Sequence, residues 1–311
     1  MAKSVGVTMT DRVVAGLIED HKVSGDLLRY PVPIAGTNEL PPDEMGVLIE
    51  MPADALSEMI CDQIARLAPS GTPLEAVGVA MPGIIRNGII EDSPNLPQLK
   101  GAHVADSIRA MLAARGIQAA VTVLNDADAA AAGVAATRGQ LDRLIRVWTI
   151  GNGIGFGRYP YTDGPWEGGH TVVSLDPKEK FCGCGGIGHL EGIMGHRAMR
   201  LRFLDLEPDE IFAQARKGDK RCQDFVVRWH LGLAAATATQ IHLEGPGKFY
   251  FTGRDISRLD LPMLKEHLYQ MVKMSPLQSY TLELLPEDPT IAVIGAAEVA
   301  GNMGKAQDTK L

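Results

Sequence analysis

The sequence predicts an α/β protein. Apolar segments typical of strands, such as LEAVGVAMPG and RLIRVWTI, alternate with segments of helical periodicity, such as MPADALSEMICDQIARLA, and this alternation is typical of α/β architecture. The chain has 311 residues, of which 45% are hydrophobic and 22% are charged. A chain of this length and composition can bury a large core and form one large domain or two ordinary ones.

The first half of the chain gives the following elements in order. SVGVTMTDRVVAGLIED carries two apolar runs around a polar turn and predicts a β-hairpin. Apolar residues recur at helical spacing over 51–68, and the next strand ends at Pro82. A helix in ADSIRAMLAARG leads to a strand at 119–126. The alanine-rich run 127–139 predicts a helix, because alanine loses no side-chain entropy on winding.

The second half continues the alternation. RLIRVWTI predicts a strand that enters a glycine-rich turn, and the region 196–242 is mainly helical in pattern. KFYFTG predicts a strand and LPMLKEHLYQMVKM a helix. PTIAVIGAAEVAG predicts a strand that runs into a helix of small residues.

Charge and composition exclude several classes of protein. A net charge of −8 argues against a general nucleic-acid binder, which needs a basic face. No apolar run approaches the roughly 20 residues that span a bilayer, and MAKSVGVTMTDRVV does not have the pattern of a secretory leader. We therefore expect a cytoplasmic protein without membrane partners. Four cysteines in such a chain do not indicate a disulfide framework.

The segment KFCGCGGIGHLEG concentrates candidate metal ligands. Cys182, Cys184 and His189 lie within eight residues, and His170 precedes them after EGG. Zinc prefers four nitrogen or sulfur ligands in a tetrahedron, and a loop with many glycines can bring such ligands to one ion. The C-x-C spacing is too short for the C-x-x-C redox motif. A metal site and a plain glycine-rich loop both fit these residues.

Two further segments carry candidate functional groups. In TIGNGIGFGRY a strand is followed by Gly151, Gly153 and Gly155, whose exposed backbone suits either a phosphate cradle or a structural turn. VLNDADAA places Asn125 and Asp126 at the carboxyl end of a strand, where α/β folds gather catalytic groups. A carboxylate there could accept a proton from a substrate hydroxyl. Alternatively, Asp126 or its neighbour Asp128 could cap the following helix.

Taken together and in this order, the motifs resemble the ROK family of repressors, open reading frames and sugar kinases. The segments that carry the resemblance are MPGIIRNGIIEDSPNLP, LNDADAAAAG, GNGIGFG, EGGH, CGCGGIGHLE and VIGAAEVA. The resemblance implies an actin-like (RNase H-like) ATPase fold with two lobes around a central cleft, in which sugar and ATP meet. We expect a small lobe from 1–123 plus 297–311 and a large lobe from 124–296 with a zinc-binding loop. Relatives suggest a homodimer or homotetramer.

The resemblance also implies roles for single residues. The expected sugar contacts are Asn95, Asn125, Asp126, Glu167, His170 and Glu191, with Asp126 as the general base. The expected nucleotide contacts are Gly151, Gly153 and Gly155 of the second phosphate loop and Gly253 of the adenine-side turn FTGRDIS. The expected structural zinc ligands are His170, Cys182, Cys184 and His189. The family usually has a cysteine where this chain has His189, and imidazole is also a competent zinc ligand.

One departure leaves two functions open. The first phosphate loop of the family reads D-x-G-G-T, whereas this chain has Thr8, Met9 and Thr10 there. Side chains at those positions obstruct the approach of phosphates to the backbone. The expected function is an ATP-dependent sugar kinase that uses Mg²⁺ and phosphorylates a hydroxyl of a hexose or hexose derivative. The alternative is a sugar-binding sensor or regulator with impaired or absent kinase activity. A DNA-binding repressor is not expected, because the first strand begins near Ser4 and leaves no room for a helix-turn-helix.

Overall fold

The structure, a computed structural model, describes residues 3–37, 39–69, 73–164 and 166–308. Within these residues the strands are Ser4–Met9 (β1), Val13–Glu19 (β2), Lys22–Tyr30 (β3), Ala76–Met81 (β4), Ile84–Arg86 (β5), Ile89–Asp92 (β6), Ala120–Asn125 (β7), Ile145–Ile150 (β8), Ile154–Tyr159 (β9), Lys248–Thr252 (β10) and Thr281–Leu284 (β11). The α-helices are Val47–Glu50 (α1), Ala53–Leu67 (α2), Val104–Ala114 (α3), Asp126–Thr137 (α4), Glu191–Met194 (α5), His196–Arg202 (α6), Pro208–Arg216 (α7), Lys220–Glu244 (α8), Leu261–Met271 (α9) and Pro289–Asp308 (α10). The predicted hairpin, the helix over 51–68 and the alanine-rich helix are confirmed as β1–β2, α2 and α4.

The chain divides into two compact units. Unit 1 comprises 1–145, 157–166 and 288–311, and unit 2 comprises 146–156 and 167–287. The predicted large lobe of 124–296 included 124–145, 157–166 and 288–296, whereas the structure includes these segments in unit 1, in which α4 packs against α10.

Unit 1 is built on a five-stranded sheet of order β3-β2-β1-β4-β7. β1 runs antiparallel to β2 and parallel to β4, and β4 runs parallel to β7. Side chains alternate between the two faces of a strand, and the valines of β1 and β4 belong to the same apolar core as Ile60 of α2 and Ile108 of α3. The register aligns Gly6 of β1 with Gly78 of β4, and these glycines face α10.

Helix α10 lies against β1, β4 and α4 with its backbone in close contact. A Cβ atom at Gly295 would lie 1.8 Å from the Ala129 carbonyl oxygen of α4, and one at Gly133 would lie 1.8 Å from that of Ile291. The prediction of a strand in PTIAVI is wrong, because this segment lies in the helix Pro289–Asp308. Its β-branched residues favour a strand locally, but tertiary packing of a small-residue helix on the sheet outweighs that preference.

Unit 2 contains a four-stranded sheet of order β11-β10-β8-β9, with β10 parallel to β11. Its apolar core gathers Trp148 of β8, Trp229 of the long helix α8, and Phe249 and Phe251 of β10. β8 and β9 are consecutive and are joined by the glycine turn 151–153. Among the described residues, none of the helices combines the length and apolar character that a membrane span requires.

Candidate functional site

A cluster of two cysteines and two histidines lies in the loop before α5. The ligand atoms of His170, Cys182, Cys184 and His189 all lie within 4.8 Å of one another. The Sγ atoms of Cys182 and Cys184 are 3.3 Å apart, and Cys184 Sγ is 3.2 Å from His189 Nδ1. The His170 and His189 rings stack with centroids 5.1 Å apart. The structure thus brings together all four predicted metal ligands.

Glycines and backbone hydrogen bonds set the course of this loop. A Cβ atom at Gly186 would lie 2.1 Å from the His189 ring, and one at Gly188 would lie 1.8 Å from the Ser174 carbonyl oxygen. Gly188 adopts a positive φ of 71°, which glycine tolerates without strain. The Gly188 amide donates to the Glu179 carbonyl, and its own carbonyl accepts from Val173. The loop is therefore closed by its backbone as well as by the cluster.

The pKa values of Cys182 and His189 in the cluster are shifted in opposite directions. Burial raises the pKa of the Cys182 thiol to about 11, so this thiol is protonated unless a cation favours the thiolate. Burial and the neighbouring His170 both lower the pKa of His189, which keeps that imidazole neutral and able to coordinate. A metal ion would therefore find one ready nitrogen donor and would displace a proton from sulfur.

Asn125 and Asp126 join the carboxyl end of β7 to the first turn of α4. Asn125 Oδ1 accepts from the Ala127 amide at 2.8 Å, and Asn125 Nδ2 donates to the Gly83 carbonyl at 2.9 Å. Asn125 is therefore the residue that caps α4, a role that the sequence assigned only to Asp126 or Asp128 as an alternative. Each polar atom of the Asn125 amide group retains capacity for one further hydrogen bond.

The Asp126 carboxyl is half-buried at the beginning of α4. Its Oδ1 accepts from the Ala127 amide at 3.0 Å. Burial raises the pKa of this carboxyl, against the lowering effect of the backbone amides. Asp128 faces a different partner, because its Oδ1 accepts from the Arg158 amide at 3.0 Å. Asn95 is exposed in the turn that follows β6.

The other predicted sugar contacts lie in unit 2. Glu167 is exposed, and its Oε2 is 4.0 Å from His170 Nδ1. Glu191 begins α5, only two residues after the predicted ligand His189. Its Oε2 accepts from the Ile154 amide at 3.1 Å. Glu191 therefore connects the Cys/His loop with the first residue of β9.

The predicted nucleotide glycines form two turns in unit 2. Gly151 and Gly153 lie in the turn between β8 and β9, closed by a Gly151 amide to Gly153 carbonyl hydrogen bond of 3.1 Å, and Gly155 lies in β9. The space beside Gly151 is open, since a Cβ atom there would have no neighbour within 4 Å. Gly253 follows β10 with a φ of 112°. A Cβ atom at Gly253 would lie 2.5 Å from the Ile150 carbonyl oxygen, so the two turns are in direct contact.

Sequence reasoning missed a buried polar group beside these turns. His196 Nε2 lies 2.5 Å from Asp255 Oδ2, and Arg258 Nη1 lies 3.0 Å from the same oxygen. His196 and Asp255 are 59 residues apart in the chain. No local spacing pattern joins residues so far apart, so only the fold reveals the pairing.

The fold and the site together define a class of protein. The chain is a two-unit α/β protein with the actin-like ATPase fold of the solved structures that it matches, and it has a Cys/His cluster that could hold a metal ion. The ROK family model matches residues 48–306. The chain belongs to the ROK family, and this match confirms the resemblance seen in its motifs.

Individual relatives give the closer comparisons. The chain is 28% identical over 214 residues to a glucokinase of Pyrobaculum calidifontis, covering 62% of this chain and 69% of that protein. It is 29% identical over 206 residues to a kanosamine kinase of Amycolatopsis mediterranei, covering 62% of this chain and 66% of the relative. The solved structure of a Streptomyces griseus ROK glucokinase with glucose and AMPPNP matches with a TM-score of 0.67 and 21% identity, over 97% of this chain and all (100%) of the other. This structural match supports the fold.

Proposed function

We propose that the protein is an ATP-dependent sugar kinase that phosphorylates a hydroxyl of a hexose or hexose derivative. The family match over 48–306 and the two curated relatives, both sugar kinases, support this class of reaction. The structural observation that carries the proposal is Asp126. The Asp126 side chain is half-buried directly after the end of β7, and burial raises the pKa of its carboxyl group. Catalytic bases are commonly found in such an environment.

In the proposed reaction Asp126 acts as the general base. Its carboxylate accepts the proton of the sugar hydroxyl, the hydroxyl oxygen bonds to the γ-phosphorus of ATP, and the bond from that phosphorus to the bridging oxygen of ADP breaks. The products are a sugar phosphate and ADP. Phosphoryl transfer depends mainly on positioning and on stabilisation of charge. Mg²⁺, when bound with ATP, supplies neutralisation of phosphate charge.

We assign the sugar contacts to the set predicted from the sequence. Asn125 is fixed by its hydrogen bonds to Ala127 and Gly83, so any hydroxyl that it binds meets a rigid amide. Glu191 is fixed in the same way by the Ile154 amide. Asn95 and Glu167 are exposed and can meet a ligand without rearrangement of the core. We assign His170 to both the sugar and the metal ion, because an imidazole ring has two nitrogens that can serve different partners.

We assign the phosphate contacts to the glycine turn 151–153 with Gly155, and the adenine-side contact to Gly253. The open space beside Gly151 supports this role, because phosphate oxygens require close access to the backbone. Directly after this turn, the Ile154 amide donates to Oε2 of Glu191, a proposed sugar contact. The same carboxylate therefore supports both parts of the proposed site.

We assign the Cys/His cluster to a structural zinc ion held by His170, Cys182, Cys184 and His189. Two nitrogens and two sulfurs are a donor set that zinc prefers. Sulfurs bound tetrahedrally at ~2.3 Å from zinc lie about 3.8 Å apart, close to the 3.3 Å between the two Sγ atoms. The ion would fix the loop that leads into α5, and Glu191 is the first residue of that helix. A cytoplasmic location and a homodimer or homotetramer remain predictions from the sequence.

The second candidate function is a sugar-binding protein that transfers no phosphate. One observation favours it: the turn between β1 and β2 contains no glycine, and its Thr10 Oγ1 donates to Asp11 Oδ1 at 3.2 Å. Arg12 Nε also donates to Asp11 Oδ1, at 3.3 Å. Side chains therefore occupy the position at which the family resemblance places a glycine-rich phosphate loop.

A coupled ADP-release screen over hexoses, N-acylhexosamines and their epimers distinguishes the two functions. Thermal shift with the same sugars is measured in parallel. We expect both a shift and ADP release for at least one sugar. A shift without ADP release identifies the sugar-binding protein, and neither response with any sugar contradicts both candidates.

A further inference from the structure

The glycine turn 151–153 is braced from two distant parts of the chain. The Ile150 carbonyl accepts from the Asp255 amide at 3.1 Å, and the Asn152 carbonyl accepts from the His196 amide at 3.0 Å. The first contact comes from the segment after β10 and the second from the first residue of α6. Both sides of the turn are therefore fixed by backbone hydrogen bonds from residues outside the hairpin.

The side chains of the two bracing residues are bound to each other. His196 Nε2 and Asp255 Oδ2 are 2.5 Å apart, and the exposed fractions of the two side chains are only 13% and 7%. Arg258 Nη1 lies 2.9 Å from the same His196 nitrogen, so a guanidinium group adjoins the contact between the two side chains. The pair joins two segments that each hold one side of the turn.

Arg258 completes the group and restricts the carboxylate further. Its Nη1 forms an ion pair with Asp255 Oδ2 at 3.0 Å, and its side chain is only 7% exposed. Its Nη2 donates to Asp209 Oδ1 of α7 at 2.7 Å, and the Asp209 side chain is 90% exposed. Contacts with both a histidine and an arginine restrict the orientation of this buried carboxylate, whereas the outer Asp209 contact is open to solvent and contributes little.

Two glycines allow the bracing residues to reach the turn. A Cβ atom at Gly195, beside His196, would lie 3.0 Å from the Glu191 carbonyl oxygen and 3.3 Å from that of Asn152. Gly253, two residues before Asp255, needs its positive φ and its missing Cβ to approach Ile150. The local backbone is therefore adapted to bring His196 and Asp255 against the turn.

We propose that His196 and Asp255 are positioning residues for the nucleotide phosphates. They act through the backbone of the turn 151–153, which they hold at Ile150 and Asn152, and Arg258 fixes the Asp255 carboxylate. This inference rests on the proposed function, in which that turn binds the phosphates of ATP. Loss of the pair loosens the turn and weakens nucleotide binding, while the sugar contact made by Glu191 keeps its own hydrogen bond to Ile154.

The test compares His196→Ala and Asp255→Ala with the conservative variants His196→Gln and Asp255→Asn. AMPPNP affinity is measured by calorimetry, and KM is measured separately for ATP and for the sugar identified in the screen. We expect the alanine variants to weaken AMPPNP binding and to raise KM for ATP about tenfold, the effect of roughly one lost hydrogen bond. KM for the sugar should change less than about twofold. The double alanine variant should lose no more than either single variant, because the pair acts as one unit.

The matched control is Asp209→Ala, which removes the exposed partner of Arg258 and should leave AMPPNP affinity within about twofold. His196→Gln retains a side-chain N–H donor and should recover most of the affinity. If an alanine variant does not fold, the conservative variants at both positions decide the matter by the same measurements. Unchanged AMPPNP affinity in the folded variants, or equal losses for sugar and nucleotide, overturns the positioning role. A wild-type chain that binds neither AMPPNP nor sugar overturns the proposed function itself.

Discussion

The proposed chemistry depends on the carboxyl group of Asp126. In an Asp126→Asn variant the carboxamide cannot accept the hydroxyl proton, although it retains an oxygen to accept the Ala127 amide. We expect kcat to fall by about 10²- to 10⁴-fold, the usual contribution of a general base, with sugar affinity nearly unchanged. Steady-state kinetics and calorimetric sugar titration measure the two quantities.

The control for this variant is Asp142→Asn, an identical change at a side chain that is 81% exposed. It should have wild-type kinetics. Burial raises the pKa of Asp126, so the charged carboxylate costs folding free energy at neutral pH. Asp126→Asn should therefore melt at the wild-type temperature or above it. Wild-type turnover in this variant contradicts the assignment of the base.

The raised pKa of Asp126 also predicts the pH dependence of turnover. The base must be ionised to accept a proton, so kcat rises as pH rises through the pKa of Asp126 in the complex. Because burial raises that pKa, the acid limb should lie above about 3.9, the ordinary value for aspartate. A pH–rate profile measured over the range in which the protein stays folded checks this. An acid limb at or below the ordinary value contradicts the role of burial.

For single residues, the sequence predicts which side chains have suitable chemistry but not which role each of them has. Asn125 and Asp126 both stand at the end of a predicted strand, and either can accept a backbone amide. The structure gives the cap to Asn125, because its amide group also reaches the Gly83 carbonyl, 42 residues away in the chain. That second contact depends on the pairing of β4 with β7, which no local pattern specifies.

The packing of α10 on α4 gives a prediction at the scale of elements. A Cβ atom at Gly295 would lie 1.8 Å from the Ala129 carbonyl oxygen, and rigid backbone cannot yield easily. We expect Gly295→Ala to lower the free energy of unfolding by about 1–3 kcal/mol, the usual cost of overpacking. Chemical denaturation followed by circular dichroism measures this loss.

Gly301→Ala is the matched control on the same helix. A Cβ atom at Gly301 would have no neighbour within 4 Å. Because alanine favours helices more than glycine does, this variant should be neutral or more stable by up to about 1 kcal/mol. Equal changes in the free energy of unfolding for the two substitutions would contradict the interpretation that the close approach of α10 to α4 requires glycine at position 295.

The Cys/His loop gives a second prediction at this scale. Wild-type protein should contain about one zinc ion per chain by elemental analysis, since four ligands converge on one point. His189→Ala removes one ligand and should lower the zinc content well below that. His189→Cys restores a fourth donor and should retain the ion. Wild-type protein that is free of metal and equally heat-stable contradicts the zinc assignment.

Elements were predictable where pattern and packing agree. The polar turn between two apolar runs gives β1 and β2, and the alanine-rich run gives α4. The exception is PTIAVI, whose β-branched residues favour a strand. It is helical in the structure, because Gly6, Gly78 and Gly133 leave space for a helix backbone against the sheet and α4. Those glycines are far apart in the chain, so only the fold shows that all three contact the backbone of the same helix.

The whole molecule consists of two units with separate apolar cores. The Cys/His cluster and both fully buried tryptophans, Trp148 and Trp229, belong to unit 2, whereas Trp166 of unit 1 is 44% exposed. Removal of the proposed zinc ion by a chelator should therefore destabilise unit 2 directly. We expect the melting temperature followed by tryptophan fluorescence to fall by about 4 °C or more.

Hydrogen exchange supplies the control for chelation within the same molecule. Amides of α8 and β10 in unit 2 should exchange faster without metal, while amides of β1 and β4 in unit 1 should keep their protection. Equal loss of protection in both units contradicts a local role for the cluster. Re-addition of zinc should restore the melting temperature and the protection of unit 2.

The fold class was predictable from sequence because the motifs extend over most of the chain. Alternating strands and helices specify α/β architecture, and the resemblance to the ROK family specified the actin-like type. The division into units was less predictable, since 124–145 and 157–166 belong to unit 1 through contacts with distant segments. One such contact is the hydrogen bond from the Arg158 amide to Asp128.

The position of α10 on the sheet determines the order in which the protein can mature on the ribosome. The face of β1 and β4 that carries Gly6 and Gly78 is covered by residues 289–308, which are synthesised after all of unit 2. The core of unit 2 can therefore form before α10 has been synthesised. The sheet of unit 1 is translated first but is covered by α10 only afterwards. During that interval the small side chains on this face, among them Ser4, Thr8 and Ala80, are not yet covered by α10.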